Sequence, residues 1–176
     1  MSRLPLVDPA AASGRVKVLF DGPLKGKHLN IFKAMANSPA ALEAYLGMAG
    51  ALAKASLSAK EQEVIHLFLS QANGCGYCLA AHTVIGKGAG LSEEQTVGAR
   101  LGHLADPKLS ALVRFVAAVH EKHGAVSDAD LEVFKSAGYT DGHVAEVAAV
   151  YALGTYTNMF NIIAKTPVDF PPPPKA

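Results

Sequence analysis

QANGCGYCLAAH, residues 71–82, holds both cysteines of the chain and one of its seven histidines. An Asn-Gly pair before the first cysteine ends one helix and allows the next helix to begin there. With about 100° of rotation per residue, Cys75, Cys78 and His82 lie on one face of that second helix. The stretch therefore predicts two sulfurs and one imidazole within the first turns of a helix.

Thiol redox chemistry is the function that this arrangement favours. A helix N-terminus stabilises a nearby thiolate, and His82, four residues after Cys78, can accept or return a proton. Two sulfurs one turn apart can close a disulfide with modest adjustment, and such a disulfide is strained and easily reduced. A thiolate, a base and a second thiol are the components of a thiol-dependent peroxidase or reductase.

Other uses of two cysteines and a histidine remain open at this level. A zinc ion could take Cys75, Cys78 and His82 as ligands, but a structural zinc needs a fourth ligand. No second Cys-x-x-Cys or His-x-x-x-His pair supplies it, so a carboxylate would have to serve. A c-type haem requires a histidine directly after the second cysteine, where Leu79 stands. Two unreactive buried cysteines are also compatible with the pattern.

Composition limits the classes of protein to which the chain can belong. A chain of 176 residues, 50% hydrophobic and 18% charged, folds as one globular domain with or without arms. Its net charge of +1, without a long basic run, gives no indication of nucleic-acid binding. The first residues lack the apolar region of a signal peptide, so we expect a cytoplasmic protein. In that compartment a close cysteine pair is more often catalytic or metal-binding than structural.

Residues 147–164 are free of charge and are the nearest approach to a membrane span. The run contains Thr157, Asn158 and Asn161, which fall on one side of a helix. We therefore expect a buried amphipathic helix here and no association with a membrane.

Helix signals recur along the rest of the chain. Ser38 and Asp106 precede prolines, as N-cap residues do, and capping boxes begin at Ser58 and Ser92. No convincing alternating strand pattern is present, although residues 15–20 could form one short strand. The sequence predicts an all-α fold of seven or eight helices, at about residues 28–36, 39–54, 58–72, 75–87, 92–103, 106–123, 127–137 and 140–165.

This organisation divides the chain into three parts. Residues 1–27 are expected to form an N-terminal arm, residues 28–165 the helical domain, and residues 166–176 a proline-rich C-terminal tail. The consecutive prolines of the tail favour an extended polyproline conformation, which cannot build a core of its own.

The complete motif around the cysteines is Glu63, eleven residues, Cys75-x-x-Cys78, three residues and His82. This motif, with the GKGAGLSEEQ that follows it, resembles that of the AhpD-like alkylhydroperoxidase family within the carboxymuconolactone decarboxylase superfamily. The surrounding helices are similar over residues 28–165. The resemblance implies an AhpD-like helical bundle that assembles as a homotrimer or homohexamer.

The resemblance also implies roles for individual residues. Cys78 attacks the peroxide and becomes a sulfenic acid, Cys75 resolves it as a disulfide, and Glu63 with His82 forms a proton relay. The family's peroxidases carry a histidine between the cysteines, where this chain has Tyr77. Tyrosine is a poor base, with an ordinary pKa of about 10, so its role is at most auxiliary.

The same resemblance implies no cofactor and no metal. The expected partners are an organic hydroperoxide as substrate and a dithiol electron donor of lipoyl or thioredoxin-like type. The decarboxylase branch of the superfamily lacks the cysteine pair, so the motif favours the peroxidases.

Some of these residues are ambiguous without the motif. The helix N-terminus alone favours the thiolate at Cys75 rather than at Cys78. Glu63 lies at the edge of the apolar arc of its helix, where an exposed carboxylate is the usual expectation. His66, three residues later, has no expected role beyond a surface or interface contact.

Three functional hypotheses follow from the sequence. The first is a cofactor-free peroxidase that reduces alkyl hydroperoxides through its cysteine pair. The second is a non-catalytic helical oligomer that uses the motif for redox sensing or for metal binding. The third is an enzyme similar to carboxymuconolactone decarboxylase, although the sequence identifies no groups that would hold an acidic substrate.

Overall fold

Nine α-helices are present in residues 2–176, the part of the chain that this computed structural model describes. They are, in chain order, α1 (Gly14–Asp21), α2 (Asn30–Met35), α3 (Pro39–Leu52), α4 (Ala59–Ala72), α5 (Gly76–Gly88), α6 (Glu93–Arg100), α7 (Pro107–Glu121), α8 (Asp128–Ser136) and α9 (Asp141–Ala164). No strand occurs in these residues, so the predicted all-α class is confirmed. Helices α2 to α9 correspond to the eight predicted helices.

The additional helix, α1, lies where the sequence also allowed a short strand over residues 15–20, and that alternative is wrong. An isolated strand would leave its backbone groups unpaired, whereas a helix satisfies most of them internally. Helix α1 buries Leu19 and Phe20, and Leu24 follows them into the same hydrophobic cluster. The N-terminal segment therefore contributes side chains to the core.

Side-chain caps fix the beginnings of the helices that surround the cysteines. Ser58 and Glu61 form a complete capping box at α4, and Ser92 and Gln95 form another at α6. Gly74, in the left-handed conformation with φ of 68°, separates α4 from α5. Because the chain turns so sharply there, α5 packs back against α4 with the cysteines at the turn.

Helix α4 is the centre of the bundle and contacts α5, α6, α7 and α9. Its apolar face is fully buried in a large hydrophobic cluster that α4 forms with α6 to α9. A second, smaller cluster joins α1, α2 and α3 to both cysteines at the start of α5. The cysteines are therefore part of this smaller cluster.

Helix α9 is the one helix within residues 2–176 whose length and apolar composition would allow it to cross a membrane. It packs against α3, α4 and α5, and its buried residues include Thr157, Asn158 and Asn161. The polar side chains that the sequence places on one side of this helix are therefore buried, whereas Met159, Ile162 and Ile163 are exposed.

The C-terminal tail, residues 166–176, forms neither helix nor strand and lies across α2 and α5. The carboxylate of Asp169 accepts hydrogen bonds from the backbone N–H of Asn30 and from the hydroxyl of Tyr77. The tail therefore lies on its own chain, beside the helix that carries the cysteines.

Candidate active site

The two cysteines lie at the beginning of α5. Cys75 is the N-cap residue, one position before the first turn, and its Sγ accepts a hydrogen bond from the backbone N–H of Cys78 at 3.2 Å. The two sulfurs are paired as a disulfide, with 5.4 Å between the Cα atoms. Both residues are buried. A redox-capable pair thus occupies a helix N-terminus, where a thiolate is favoured.

Glu63 and His82 meet between α4 and α5. The Oε2 atom of Glu63 lies 2.8 Å from Nδ1 of His82. Glu63 is buried, so the alternative of an exposed carboxylate is wrong. Because Glu63 engages Nδ1 and fixes the orientation of the ring, Nε2 is the ring nitrogen that remains available for proton transfer.

His66 belongs to this site, and its expected position at the surface is wrong. Its ring stacks on that of His82, with 4.4 Å between the ring centroids, and the residue is buried. Burial and the neighbouring His82 lower the pKa of His66 well below its ordinary value. His66 is therefore neutral and covers one face of the His82 ring. The sequence signal for this place was its position three residues after Glu63, which puts both residues on the same side of α4.

Space for His66 comes from Gly154 in the middle of α9. A Cβ atom at this position would lie 3.0 Å from Nδ1 of His66 and 2.9 Å from Cδ1 of Leu69. The glycine therefore allows α9 to approach α4 closely at the level of the two histidines.

Asn161 is a second residue whose place in the site the sequence does not reveal. Its Nδ2 donates a hydrogen bond to Sγ of Cys78 across 3.4 Å, and the residue is buried. The sequence predicts that Asn161 lies on the buried face of α9, but not which helix that face meets. An amide donor at this distance favours negative charge on the sulfur.

A cavity of about 140 Å³ lies beside Cys78. Cys78, His82 and Asn161 line it, and Cys75 does not. Most of the remaining wall is apolar and includes four aromatic side chains, those of Phe32, Tyr45, Tyr77 and Phe170. A cavity of about 150 Å³ with apolar walls is large enough to hold a benzene molecule. This cavity is therefore suited to a small apolar group beside Cys78.

Tyr77 stands between the cysteines and lines the same cavity. Its hydroxyl donates a hydrogen bond to Oδ2 of Asp169 at 2.7 Å. Burial, together with the hydrogen bond and the charge of Asp169, raises the pKa of Tyr77 far above its ordinary value. Tyr77 therefore stays protonated at physiological pH and cannot act as a base here.

Within residues 2–176, no group of three or more His, Cys, Asp or Glu side chains is arranged to hold a metal ion. In the zinc hypothesis Cys75, Cys78 and His82 share one ion. In the structure the two sulfurs are instead bonded to each other, and His82 directs Nδ1 towards Glu63.

Comparison with known proteins shows what the chain is similar to. Residues 39–122 match the carboxymuconolactone decarboxylase family. An alkylhydroperoxidase AhpD core, from an uncharacterised peroxidase-related protein of Ralstonia eutropha JMP134, has a similar structure with a TM-score of 0.84 and 24% identity. That match covers 96% of this chain and 92% of the other. The chain has an AhpD-like fold, and just under half of its length matches the carboxymuconolactone decarboxylase family.

Two further structures share this fold. An uncharacterised peroxidase-related protein from Silicibacter sp. TM1040 has a TM-score of 0.77 and 23% identity, with 94% of this chain and 89% of that one covered. The debrominase Bmp8, in complex with 2,3,4-tribromopyrrole, has a TM-score of 0.74 and 18% identity, with 96% and 94% covered. No curated protein matches the sequence. This fold thus occurs both in peroxidase-related proteins and in a debrominase.

Proposed function

We propose that this protein is a thiol-dependent peroxidase that reduces organic hydroperoxides through its own cysteine pair. One observation carries the proposal. Cys78 lines an apolar cavity, and Cys75, which does not line it, forms a disulfide with Cys78. The Glu63–His82 pair supplies a base on the same cavity. Apolar walls suit the hydrocarbon part of an alkyl hydroperoxide better than they suit a charged substrate.

In the first step Cys78 is the nucleophile. His82 takes the thiol proton at Nε2, and the thiolate attacks the terminal oxygen of the hydroperoxide. The O–O bond breaks, the sulfur becomes a sulfenic acid, and the alkoxide leaves. His82 returns the proton to the alkoxide, which departs as the alcohol. Glu63 stabilises the imidazolium during this step, and Asn161 favours the thiolate through its amide.

In the second step Cys75 resolves the sulfenic acid. Its sulfur attacks Sγ of Cys78, the disulfide forms, and the hydroxyl leaves as water with the proton of the Cys75 thiol. A dithiol donor then supplies two electrons and two protons to reduce the disulfide. Because the helix N-terminus stabilises a thiolate at Cys75, this residue is the better leaving group when the donor attacks Cys78.

A single-turnover experiment tests the proposal. Reduced protein receives one equivalent of cumene hydroperoxide, and the free thiols are counted by alkylation and mass spectrometry. We expect wild-type protein to lose both thiols and to form one equivalent of cumyl alcohol. Cys75→Ser should stop at a sulfenic acid that dimedone traps, and Cys78→Ser should keep its thiol. Survival of both wild-type thiols would falsify the proposal.

The Glu63–His82 pair can be tested in the same experiment. Glu63→Gln removes the charge that orients and supports His82, so we expect sulfenic acid formation to slow by about 10–100-fold. Glu43→Gln is the matched control because Glu43 is a partly exposed carboxylate on α3, paired with Arg15. Equal rates in the two variants would exclude the proton relay.

Reductive debromination is a second candidate function, because the four aromatic side chains around the cavity suit a flat aromatic substrate. Two thiols supply the two electrons and the proton that convert a carbon–bromine bond into a carbon–hydrogen bond and bromide. The Cys75–Cys78 disulfide would be the second product. Bromide release from 2,3,4-tribromopyrrole by reduced protein, measured by ion chromatography, would support this candidate; hydroperoxide turnover without bromide release would reject it.

The proposal extends to the donor, the assembly and the compartment. We propose a lipoyl or thioredoxin-like dithiol as donor, a homotrimer or homohexamer as the assembly, and the cytoplasm as the location. Steady-state peroxide consumption with dihydrolipoamide and with reduced thioredoxin compares the donors, and light scattering coupled to size exclusion measures the mass. Disulfide formation without turnover, with either donor, would favour the alternative of a non-catalytic redox sensor.

A further inference from the structure

The C-terminal tail forms part of the wall of the Cys78 cavity. Phe170 lines the cavity, and its ring stands edge-on to that of Tyr77 with 5.8 Å between the centroids. All other residues that line the cavity belong to the helices or lie directly before α2. A segment without regular secondary structure therefore supplies one side of the substrate site.

Three hydrogen bonds hold this part of the tail in place. Oδ2 of Asp169 accepts from the hydroxyl of Tyr77 at 2.7 Å and from the backbone N–H of Asn30 at 2.9 Å. The side-chain amide of Asn30 donates to the carbonyl of Pro167 at 3.2 Å. The hydroxyl of Tyr77 is thus engaged with the tail. Tyr77, which stands between the two cysteines, is thereby hydrogen-bonded to Asp169, the residue that precedes Phe170.

The tail beyond Phe170 is stiff and is held at its far end. Residues 171–174 are all proline, so their backbone dihedrals are restricted and they donate no backbone hydrogen bond. Nη1 of Arg100 donates to the carbonyl of Pro174 at 2.6 Å. Most tail residues are exposed, and few contacts hold them, so this segment opens more readily than the helices do.

We propose that Tyr77 and Asp169 form a latch that holds Phe170 in the cavity wall, and that Phe170 thereby sets the size of the substrate that reaches Cys78. Tyr77 and Asp169 are positioning residues, and Phe170 determines specificity. With the latch closed, the cavity of about 140 Å³ admits a group the size of a benzene ring. Small apolar hydroperoxides enter directly, and hydroperoxides with long or fused-ring apolar groups require the latch to open.

Alkylation of Cys78 tests the latch without any peroxidase activity. In reduced Cys75→Ser protein, Cys78 is the only thiol. Its alkylation rate with N-ethylmaleimide measures how readily a small reagent reaches it, and its rate with N-(1-pyrenyl)maleimide measures how readily a large reagent does. We expect Tyr77→Phe, Asp169→Asn and Phe170→Ala to raise the pyrenyl-to-ethyl rate ratio about tenfold, which corresponds to ~1.4 kcal/mol.

Two matched controls come from the same chain. Tyr151→Phe removes a tyrosine hydroxyl that is hydrogen-bonded to His120, and Val168→Ala shortens an exposed side chain of the tail. Both variants should keep the pyrenyl-to-ethyl rate ratio of the Cys75→Ser protein. An unchanged ratio in the three latch variants, or an equal rise with both reagents, would overturn the inference.

The substrate part of the inference rests on the proposed peroxidase function, and steady-state kinetics separates the two. In the otherwise wild-type chain, Phe170→Ala should raise kcat/KM for linoleic acid hydroperoxide relative to cumene hydroperoxide by about tenfold. If the wild type turns over no hydroperoxide but the alkylation ratio changes as expected, the peroxidase function fails and the latch stands. If turnover is present and neither ratio changes, the latch fails and the peroxidase function stands.

Discussion

His66 and His82 are stacked in one buried site, but only His82 has a carboxylate partner. Glu63 contacts Nδ1 of His82, whereas Nδ1 of His66 has no hydrogen-bond partner in residues 2–176. A charge on His66 would lie without compensation in a buried position and would repel a charge on His82. The two rings therefore differ in their surroundings: His82 has a carboxylate partner in Glu63, and neutral His66 covers one face of the His82 ring.

This difference predicts a pH dependence of stability. His66 has a lowered pKa in the folded state, while the unfolded chain binds a proton at an ordinary pKa of about 6.5. The contribution of His66 to the free energy of unfolding is therefore fully present above pH ~6.5. It falls below that pH by up to ~1.4 kcal/mol per pH unit until the folded His66 also titrates. Urea denaturation of wild type and His66→Leu at several pH values measures the difference.

The leucine variant should show a smaller loss of stability on acidification than wild type, since it lacks the group that binds a proton on unfolding. His103→Leu is the matched control because His103 is exposed, and it should keep the wild-type dependence. A His66→Leu curve parallel to that of wild type would show that His66 binds its proton equally in the folded and unfolded states, and would contradict the lowered pKa.

Spacing along the chain predicts only the residues that adjacent segments bring together. The motif identifies Glu63 and His82, which α4 and α5 place in contact across the turn at Gly74. Asn161 and Phe170 come from α9 and the tail, and Asn161 is separated from its partner Cys78 by 83 positions. No periodicity within one segment encodes such a long-range contact. The positions of Asn161 beside Cys78 and of Phe170 in the cavity wall could therefore be found only from the structure.

At the scale of elements, the site depends on how closely α9 approaches α4. Gly154 provides that approach, because a Cβ atom there would lie 3.0 Å from Nδ1 of His66 and 2.9 Å from Cδ1 of Leu69, closer than ordinary van der Waals contact. A glycine inside a helix ordinarily weakens it by ~1 kcal/mol relative to alanine. Its presence in the middle of α9 is therefore explained by packing against α4.

Gly154→Ala tests this explanation. Overpacking of a buried contact costs about 1–3 kcal/mol, which exceeds the ~1 kcal/mol that alanine contributes through helix propensity. We expect a net loss of up to about 2 kcal/mol in the free energy of unfolding, together with slower oxidation of Cys78, since His66 is displaced against His82. Gly47→Ala in α3 is the matched control because nothing lies within 4 Å of its Cβ position. It should stabilise the protein by ~0.5–1 kcal/mol, and a similar gain at Gly154 would contradict the packing argument.

Helices in the interior of the bundle are more predictable than the segments that close it. Capping residues mark α4 and α6 in the sequence, and the structure has both capping boxes. Helix α1 lacks a side-chain hydrogen bond at its N-cap residue, Ser13. Local signals therefore could not distinguish it from a strand, and its conformation follows from packing of Leu19 and Phe20 on the rest of the fold.

At the scale of the whole molecule, both cysteines belong to the smaller hydrophobic cluster, and the large cluster around α4 contains neither of them. A peroxidase must pass between the dithiol and the disulfide in each cycle, so a fold that depended on the disulfide would be lost in each turnover. The structure predicts the opposite, a fold that both redox states share.

The contribution of the disulfide to the free energy of unfolding can be estimated. Cys75 and Cys78 are three positions apart, so the loop that they close is very short, and the chain-entropy model gives ~2 kcal/mol or less. For a domain of this length, reduction should lower Tm by no more than ~8 °C and leave the helical circular dichroism unchanged. Thermal melts with and without a phosphine reductant measure the effect, and Cys75→Ser, which cannot form the bond, should show no response. Loss of helicity on reduction, or a much larger fall in Tm, would mean that the bond holds the fold together and would favour a structural role for the pair over a catalytic one.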